Sequence, residues 1–208
     1  MRIPEHIGII PDGNRRWAVN KGLSKDKGYE SGLNPGLSIF KTCKSLGVKE
    51  ITFYGFTVDN TKRPTIQRLA FTKACVDAVQ LLMKEDAELL VLGNSSSKMF
   101  PKELIPFTER KKFGNGGMKV NFLVNYSWEW DLGISCKEAK EFNFRSADIS
   151  RVDLIMRWGG RNRLSGFLPI QSVYSDFYFL DDYWPNYRND DVYDALEWYN
   201  KQDITLGG

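Results

Sequence analysis

The chain opens on His6-Ile7-Gly8-Ile9-Ile10-Pro11-Asp12-Gly13-Asn14-Arg15-Arg16-Trp17, a stretch that carries a structural and a chemical signal together. Its first half is a short β-branched run of the kind that forms a buried strand. Pro11-Asp12-Gly13-Asn14 stops that run. A helix opening near Asn14 would offer free amides and a positive dipole end to a phosphate. Gly13 lets backbone come close to a ligand, and Arg15 and Arg16 can each grip two phosphate oxygens. Asp12 repels a phosphate, but it suits a Mg²⁺ that bridges to a diphosphate and neutralises it as a leaving group. Taken alone, the segment also reads as an ordinary turn with solvated arginines.

Outward from there, short apolar runs alternate with helical patterns. Ile51–Phe56, Glu88–Leu92, Lys119–Tyr126, Asp153–Trp158 and the shorter Phe177–Leu180 read as strands. Asn34-Pro35 reads as a helix start closed by Gly47, Thr65–Lys84 as a long helix with Ile66, Leu69, Ala70, Cys75, Val79 and Leu82 near helical spacing, and Asp190–Lys201 as a terminal surface helix. Gly114-Asn115-Gly116-Gly117 reads as a loop. The alternation predicts an α/β fold, a mostly parallel central sheet with helices on both faces, in one domain over residues 1–208. Ligands of such sheets gather beyond the carboxyl ends of the strands.

Two more strand ends carry polar clusters. Thr57-Val58-Asp59-Asn60-Thr61-Lys62-Arg63-Pro64 supplies a hydroxyl, carboxylate, amide and cations, of which capping needs only one. Asn60 could position an attacking group, and Arg63 could reach a phosphate. Arg157-Trp158-Gly159-Gly160-Arg161-Asn162-Arg163-Leu164-Ser165 has the composition of an anion cradle, or of a solvated basic loop. P-loop and dinucleotide glycine patterns are absent.

Composition narrows the classes. The 208 residues are 42% hydrophobic and 26% charged, and the net charge of +3 argues for no nucleic-acid partner. The three cysteines, Cys43, Cys75 and Cys136, fit a reduced cytoplasmic setting, and a single histidine, His6, excludes a histidine-built zinc site. The N-terminus does not read as a signal peptide, and no stretch approaches the roughly 20 apolar residues that span a bilayer. A lipid substrate would thus meet a soluble or peripheral enzyme.

The three clusters together resemble the cis-prenyltransferases, the undecaprenyl diphosphate synthase family. Residues 6–17 resemble its first signature and Phe53 through Pro64 its second; Asp153 through Phe167, Tyr174 through Phe179 and Trp184-Pro185 are similar to its last block. The resemblance implies a homodimer with an apolar tunnel beside the sheet and peripheral membrane contact for product release. It implies Mg²⁺ and an allylic diphosphate at Asp12, with Gly13, Asn14, Arg15, Arg16, Lys25 and Arg63 around that diphosphate. Asn60 stands where an amide assists proton removal. Arg157, Arg163 and Ser165 would hold a second diphosphate, and Asp176 stands at a metal-binding position. The implied reaction condenses an allylic prenyl diphosphate with isopentenyl diphosphate in cis-elongation.

Departures from the pattern bear on substrate. Lys25 stands for arginine and Tyr29 for histidine; Trp158 fills a small hydroxylated position, Arg161 replaces a glutamate, and Thr205-Leu206-Gly207 lacks an arginine. They raise an alternative, a branched, non-head-to-tail (lavandulyl-type) condensation with dimethylallyl diphosphate as second substrate. A non-catalytic partner subunit is opposed by the retained Asp12. The DDxxD motif of the other, all-helical prenyltransferase class is missing, since Asp181-Asp182 has no third aspartate.

Overall fold

The computed structural model describes residues 2–133 and 144–203. Cys136 and the Thr205–Gly207 departure lie outside the described residues. In chain order the elements are β1 (His6–Ile10), α1 (Asn14–Asn20), α2 (Leu33–Ser45), β2 (Glu50–Tyr54), α3 (Thr65–Leu82), β3 (Ala87–Leu92), β4 (Lys111–Phe113), β5 (Met118–Leu123), α4 (Trp128–Asp131), β6 (Leu154–Arg157), β7 (Asp176–Phe179) and α5 (Asp190–Asn200). Short 3₁₀ turns fill several connections.

The strands form one sheet in the order β4-β3-β5-β2-β1-β6-β7. Every pairing is parallel except that of β3 with β4. β1 lies inside the sheet, with Ile9 opposite Phe53 of β2 and Ile10 opposite Arg157 of β6. That register brings the exits of β1, β2 and β6 side by side.

One face packs Ile7, Ile9, Phe53, Phe122 and Met156 against Ile39 and Phe40 of α2, Val79 of α3 and Leu196 of α5. The other joins Ile10, Leu123 and Ile155 to Tyr126, Phe167 and Leu168, with Trp130 of α4 against them. Gly8 permits this second layer, because a Cβ there would lie 2.7 Å from the Phe167 ring.

The sequence-based boundaries shift in informative places. β5 ends at Leu123, short of Tyr126, because Asn125 turns into the left-handed region at φ 52°. α2 starts at Leu33, one residue before Asn34, and places Pro35 in its first turn, where a missing amide leaves no intrahelical bond unmade. β4 shows no apolar run; two lysines on a three-residue edge strand protect that edge from further pairing. In α3, Ile66 and Leu69 are 64% and 60% exposed, against the expected stripe. The helix begins as a projection beyond the sheet and meets the core only in its later turns, at Cys75, Val79 and Leu82.

Candidate active site

At the exit of β1 the chain turns on Gly13, at φ 99°, whose amide donates to Asp12 Oδ1 at 2.6 Å. α1 has only seven residues, so anion binding there rests on side chains more than on a helix dipole. Arg157, at the end of β6 and 3% exposed, donates from Nη2 to Asp12 Oδ2 at 3.0 Å. Its Nη1 donates to the carbonyl of Arg163 at 2.5 Å and to Ser165 Oγ at 2.8 Å. Ser165 is held at φ 56°, an uncommon conformation for a residue other than glycine. Arg16 Nη2 reaches Asp12 Oδ1 at 3.6 Å. The first and third clusters are thus one charge network centred on Asp12.

After β2, Thr57 and Asn60 form a capping box around the 3₁₀ turn Val58–Lys62, with the Thr57 amide donating to Asn60 Oδ1 at 3.0 Å. The capping role is therefore real, and it leaves the Asn60 Nδ2 side free to serve the cavity. Asp59 and Lys62 pair with each other at 2.7 Å in solvent. Arg63 donates to the Tyr29 hydroxyl at 2.9 Å, and Tyr29 stacks on Phe71 with centroids 4.5 Å apart. Burial pushes the Tyr29 phenol up and pulls the Arg63 and Arg157 guanidiniums down from their usual values.

A cavity of about 690 Å³ joins these parts. Asp12, Gly13, Asn14, Arg15, Arg16, Lys25, Asn60, Arg63, Arg157, Arg163 and Ser165 all line it, and Arg161 joins them. Among the described residues, Asp12 and Asp59 are the only acids on its wall. Such crowded cations in a partly desolvated cleft call for a multiply charged anion.

Asp176 is not brought there. It opens β7 opposite Leu154, the first residue of β6, whereas Arg157 stands three residues further on. At about 3.3 Å per residue the two levels are about 10 Å apart. Asp176 instead lies 4.0 Å from Arg2, at the amino edge of the sheet. Asp12 and Asp176 therefore do not meet on one ion within a single chain. Trp158 also departs from expectation. It is fully buried, edge-on to Trp184 at 4.8 Å and near Tyr187, and it does not line the cavity. Its bulk supports the sheet's helical side and leaves the second cradle untouched.

A second, apolar cavity of about 80 Å³ runs from this site between α2, α3 and the sheet. Leu37, Phe53, Ala74, Cys75, Ala78, Phe122 and Trp184 line it. Pro11, Asn14, Tyr29, Gly55 and Phe71 line both cavities, so the Tyr29–Phe71 stack forms their neck. Burial pushes the Cys75 thiol up to about 12, which keeps this wall uncharged. Sequence reasoning had no signal for Tyr183, which also lines the polar cavity.

A cation-lined cleft opening on an apolar pocket beside a parallel sheet suits an enzyme of prenyl diphosphates. The comparisons agree: the prenyltransferase family model described by undecaprenyl diphosphate synthase matches residues 10–207. The chain belongs to that family. It is 29% identical over 229 residues to a ditrans,polycis-undecaprenyl-diphosphate synthase of Vibrio parahaemolyticus, covering 99% of this chain and 91% of the relative. It is 31% identical over 235 residues to an isoprenyl transferase of Streptococcus thermophilus, covering 99% and 94%. A crystal structure of lavandulyl diphosphate synthase from Lavandula x intermedia, in complex with dimethylallyl diphosphate, superposes with a TM-score of 0.83 over 99% of both chains at 23% identity.

Proposed function

We propose that this prenyltransferase joins two five-carbon diphosphates in a branched, non-head-to-tail condensation, with dimethylallyl diphosphate as the second substrate. The size of the apolar cavity carries the reading. At about 80 Å³ it is small beside the polar cavity of about 690 Å³, and a short isoprenyl tail suits it better than a long one. The lavandulyl diphosphate synthase of matching shape adds support.

In this account Arg15, Arg16 and Lys25 bind the first diphosphate, whose tail enters the neck at Tyr29 and Phe71. Arg161, Arg163 and Ser165 bind the second. Asp12 fits a Mg²⁺ ion of the kind held by one carboxylate and substrate phosphates, since no cluster of three acidic, histidine or cysteine ligands occurs among the described residues. When bound, that ion supplies charge neutralisation to the departing diphosphate. Arg16 and Arg157 add donors where negative charge grows. The double bond of the second substrate attacks the first carbon of the allylic chain, and that carbon's bond to diphosphate breaks. The resulting tertiary cation loses a proton to a diphosphate oxygen or an ordered water. Asn60 positions the reacting unit; an amide is too weak a base to take the proton itself.

Cis-elongation with isopentenyl diphosphate is the second reading, favoured by the names of the Vibrio and Streptococcus relatives. Incubating the purified chain with Mg²⁺ and dimethylallyl diphosphate alone, then with isopentenyl diphosphate added, separates the two. A branched ten-carbon diphosphate from dimethylallyl diphosphate alone is expected. Product formed only when isopentenyl diphosphate is present would overturn the branched reading in favour of elongation. The homodimer and the cytoplasmic setting belong to the same proposal. Among the described residues β7 is an edge strand with Phe179 37% exposed, and Cys43 and Cys75 are free thiols. Among the described residues, no helix is long and apolar enough to cross a membrane.

A further inference from the structure

The segment following β7 folds back across two strand exits. The Trp184 amide donates to the Asp12 carbonyl at 3.0 Å, and the amides of Gly159 and Gly160 donate to the carbonyls of Asp182 and Leu180 at 2.8 and 3.0 Å. Asp182 Oδ1 accepts from the Tyr183 amide and from Asn186 Nδ2, both at 2.7 Å, which fixes the turn internally. Asn186 Oδ1 in turn accepts from Trp17 Nε1 at 2.8 Å, tying the turn to α1. Tyr183 is thereby set on the wall of the diphosphate cavity.

Its ring has two close neighbours. Gly13 lies against it so tightly that a Cβ at position 13 would sit 2.6 Å from Tyr183 Cδ1. The Arg16 guanidinium carbon lies 5.0 Å from the ring centroid, within cation–π range. On another side of that guanidinium stands Gly159, where a Cβ would sit 2.6 Å from Arg16 Nη2. Without such a brace Arg16 would be a half-exposed side chain loosely paired with Asp12 at 3.6 Å, an arrangement that fixes little.

We propose that Tyr183 is the positioning residue that aims Arg16 at the first diphosphate, its ring holding the guanidinium in the slot left by Gly159. The ring, and not the hydroxyl, performs the task. A pre-aimed arginine loses less freedom on binding its anion, so both diphosphate affinity and the rate of its departure depend on the ring. This deepens the proposed function and rests on it for the identity of the anion.

The test compares Tyr183→Phe, which keeps the ring, with Tyr183→Leu, which removes it. Titration calorimetry with magnesium pyrophosphate reads affinity without turnover. The expected loss in Y183L is about 3- to 30-fold, the range of a cation–π contact, with affinity retained in Y183F. The Arg16 Nε–H proton signal should show a ring-current shift in the parent chain and in Y183F, and lose it in Y183L. In prenyl transfer, Y183L should lower kcat more than it raises KM for the second substrate. Unchanged affinity in Y183L, or a loss in Y183F equal to that in Y183L, would overturn the proposal. If Y183L does not fold, Tyr183→Trp and Y183F carry the test, and loss of affinity in both overturns it. Failure of the parent chain to bind pyrophosphate would instead contradict the proposed function itself, and this role with it.

Discussion

Asp12 answers two demands at once. Its carboxylate is the acidic partner of the buried Arg157, and it faces a cavity built for anions. Replacing it therefore has a structural and a chemical consequence, and the two separate by choice of residue. Asp12→Asn keeps one oxygen acceptor, for either the Gly13 amide or Arg157, while removing the charge; it should cut turnover by about 100- to 1,000-fold and lower the thermal midpoint less than a change to alanine does. Asp12→Ala should lose at least as much activity and also melt earlier, because it strands a buried guanidinium. Near-normal turnover of either variant in a steady-state assay would discard the central role of this residue. Arg163→Ala should raise KM for the second substrate more than it lowers kcat; an effect confined to the first substrate would contradict its placement. At this scale the sequence spoke clearly wherever a chemical group follows a strand directly. That Asp12, Arg16, Arg157, Arg163 and Ser165 converge on one cavity was legible because a parallel sheet sends every strand exit to one edge. Tyr183 was not legible, since its contact with Arg16 arises only when the chain folds back across the exit of β1. Asp176 lies at the other edge of the sheet, a placement that motif order does not reveal.

Among the elements, α3 is the one whose two halves differ. Its first turns stand in solvent, and its later turns close the apolar cavity. Helical spacing finds apolar residues and cannot tell a buried stripe from an exposed one when a helix overhangs its sheet. The strands were legible as short apolar runs, apart from β4, whose lysines hide it. Phe71 sits where α3 first meets the site, stacked on Tyr29 and edge-on to Phe56 at 5.5 Å. Phe71→Leu removes both aromatic contacts, at about 0.5–1.5 kcal/mol each, and opens the neck. The variant should accept geranyl or farnesyl diphosphate as first substrate better than the parent chain does, measured as the ratio of kcat/KM for each tail length. An unchanged ratio would show that the neck does not limit tail length.

For the whole molecule, stability is tied to a polar chain that crosses the amino ends of the strands. His6 Nε2 lies 2.8 Å from Thr52 Oγ1, and Asn121 Nδ2 donates to both Thr52 Oγ1 and Glu50 Oε1. Burial lowers the His6 pKa below its ordinary 6.5, although Glu50 and Asp153 oppose the shift. The folded protein therefore holds His6 neutral where the unfolded chain is already protonated. Its contribution is fully present above pH 6.5 and is lost as pH falls through that value toward the folded pKa, at up to about 1.4 kcal/mol per pH unit. Thermal melts between pH 7.5 and 5.5 should show a steeper fall for the parent chain than for His6→Gln; parallel curves would contradict this assignment. Sedimentation of the purified chain tests the proposed homodimer at the same scale.

The central claim is that a single cleft at the strand exits seats two prenyl diphosphates on either side of Asp12. Titration calorimetry with an unreactive dimethylallyl thiolodiphosphate, in the presence of Mg²⁺, tests it most directly. The account predicts two equivalents bound per chain, with one weakened in Asp12→Asn and the other in Arg163→Ala. One equivalent, or none, would contradict it.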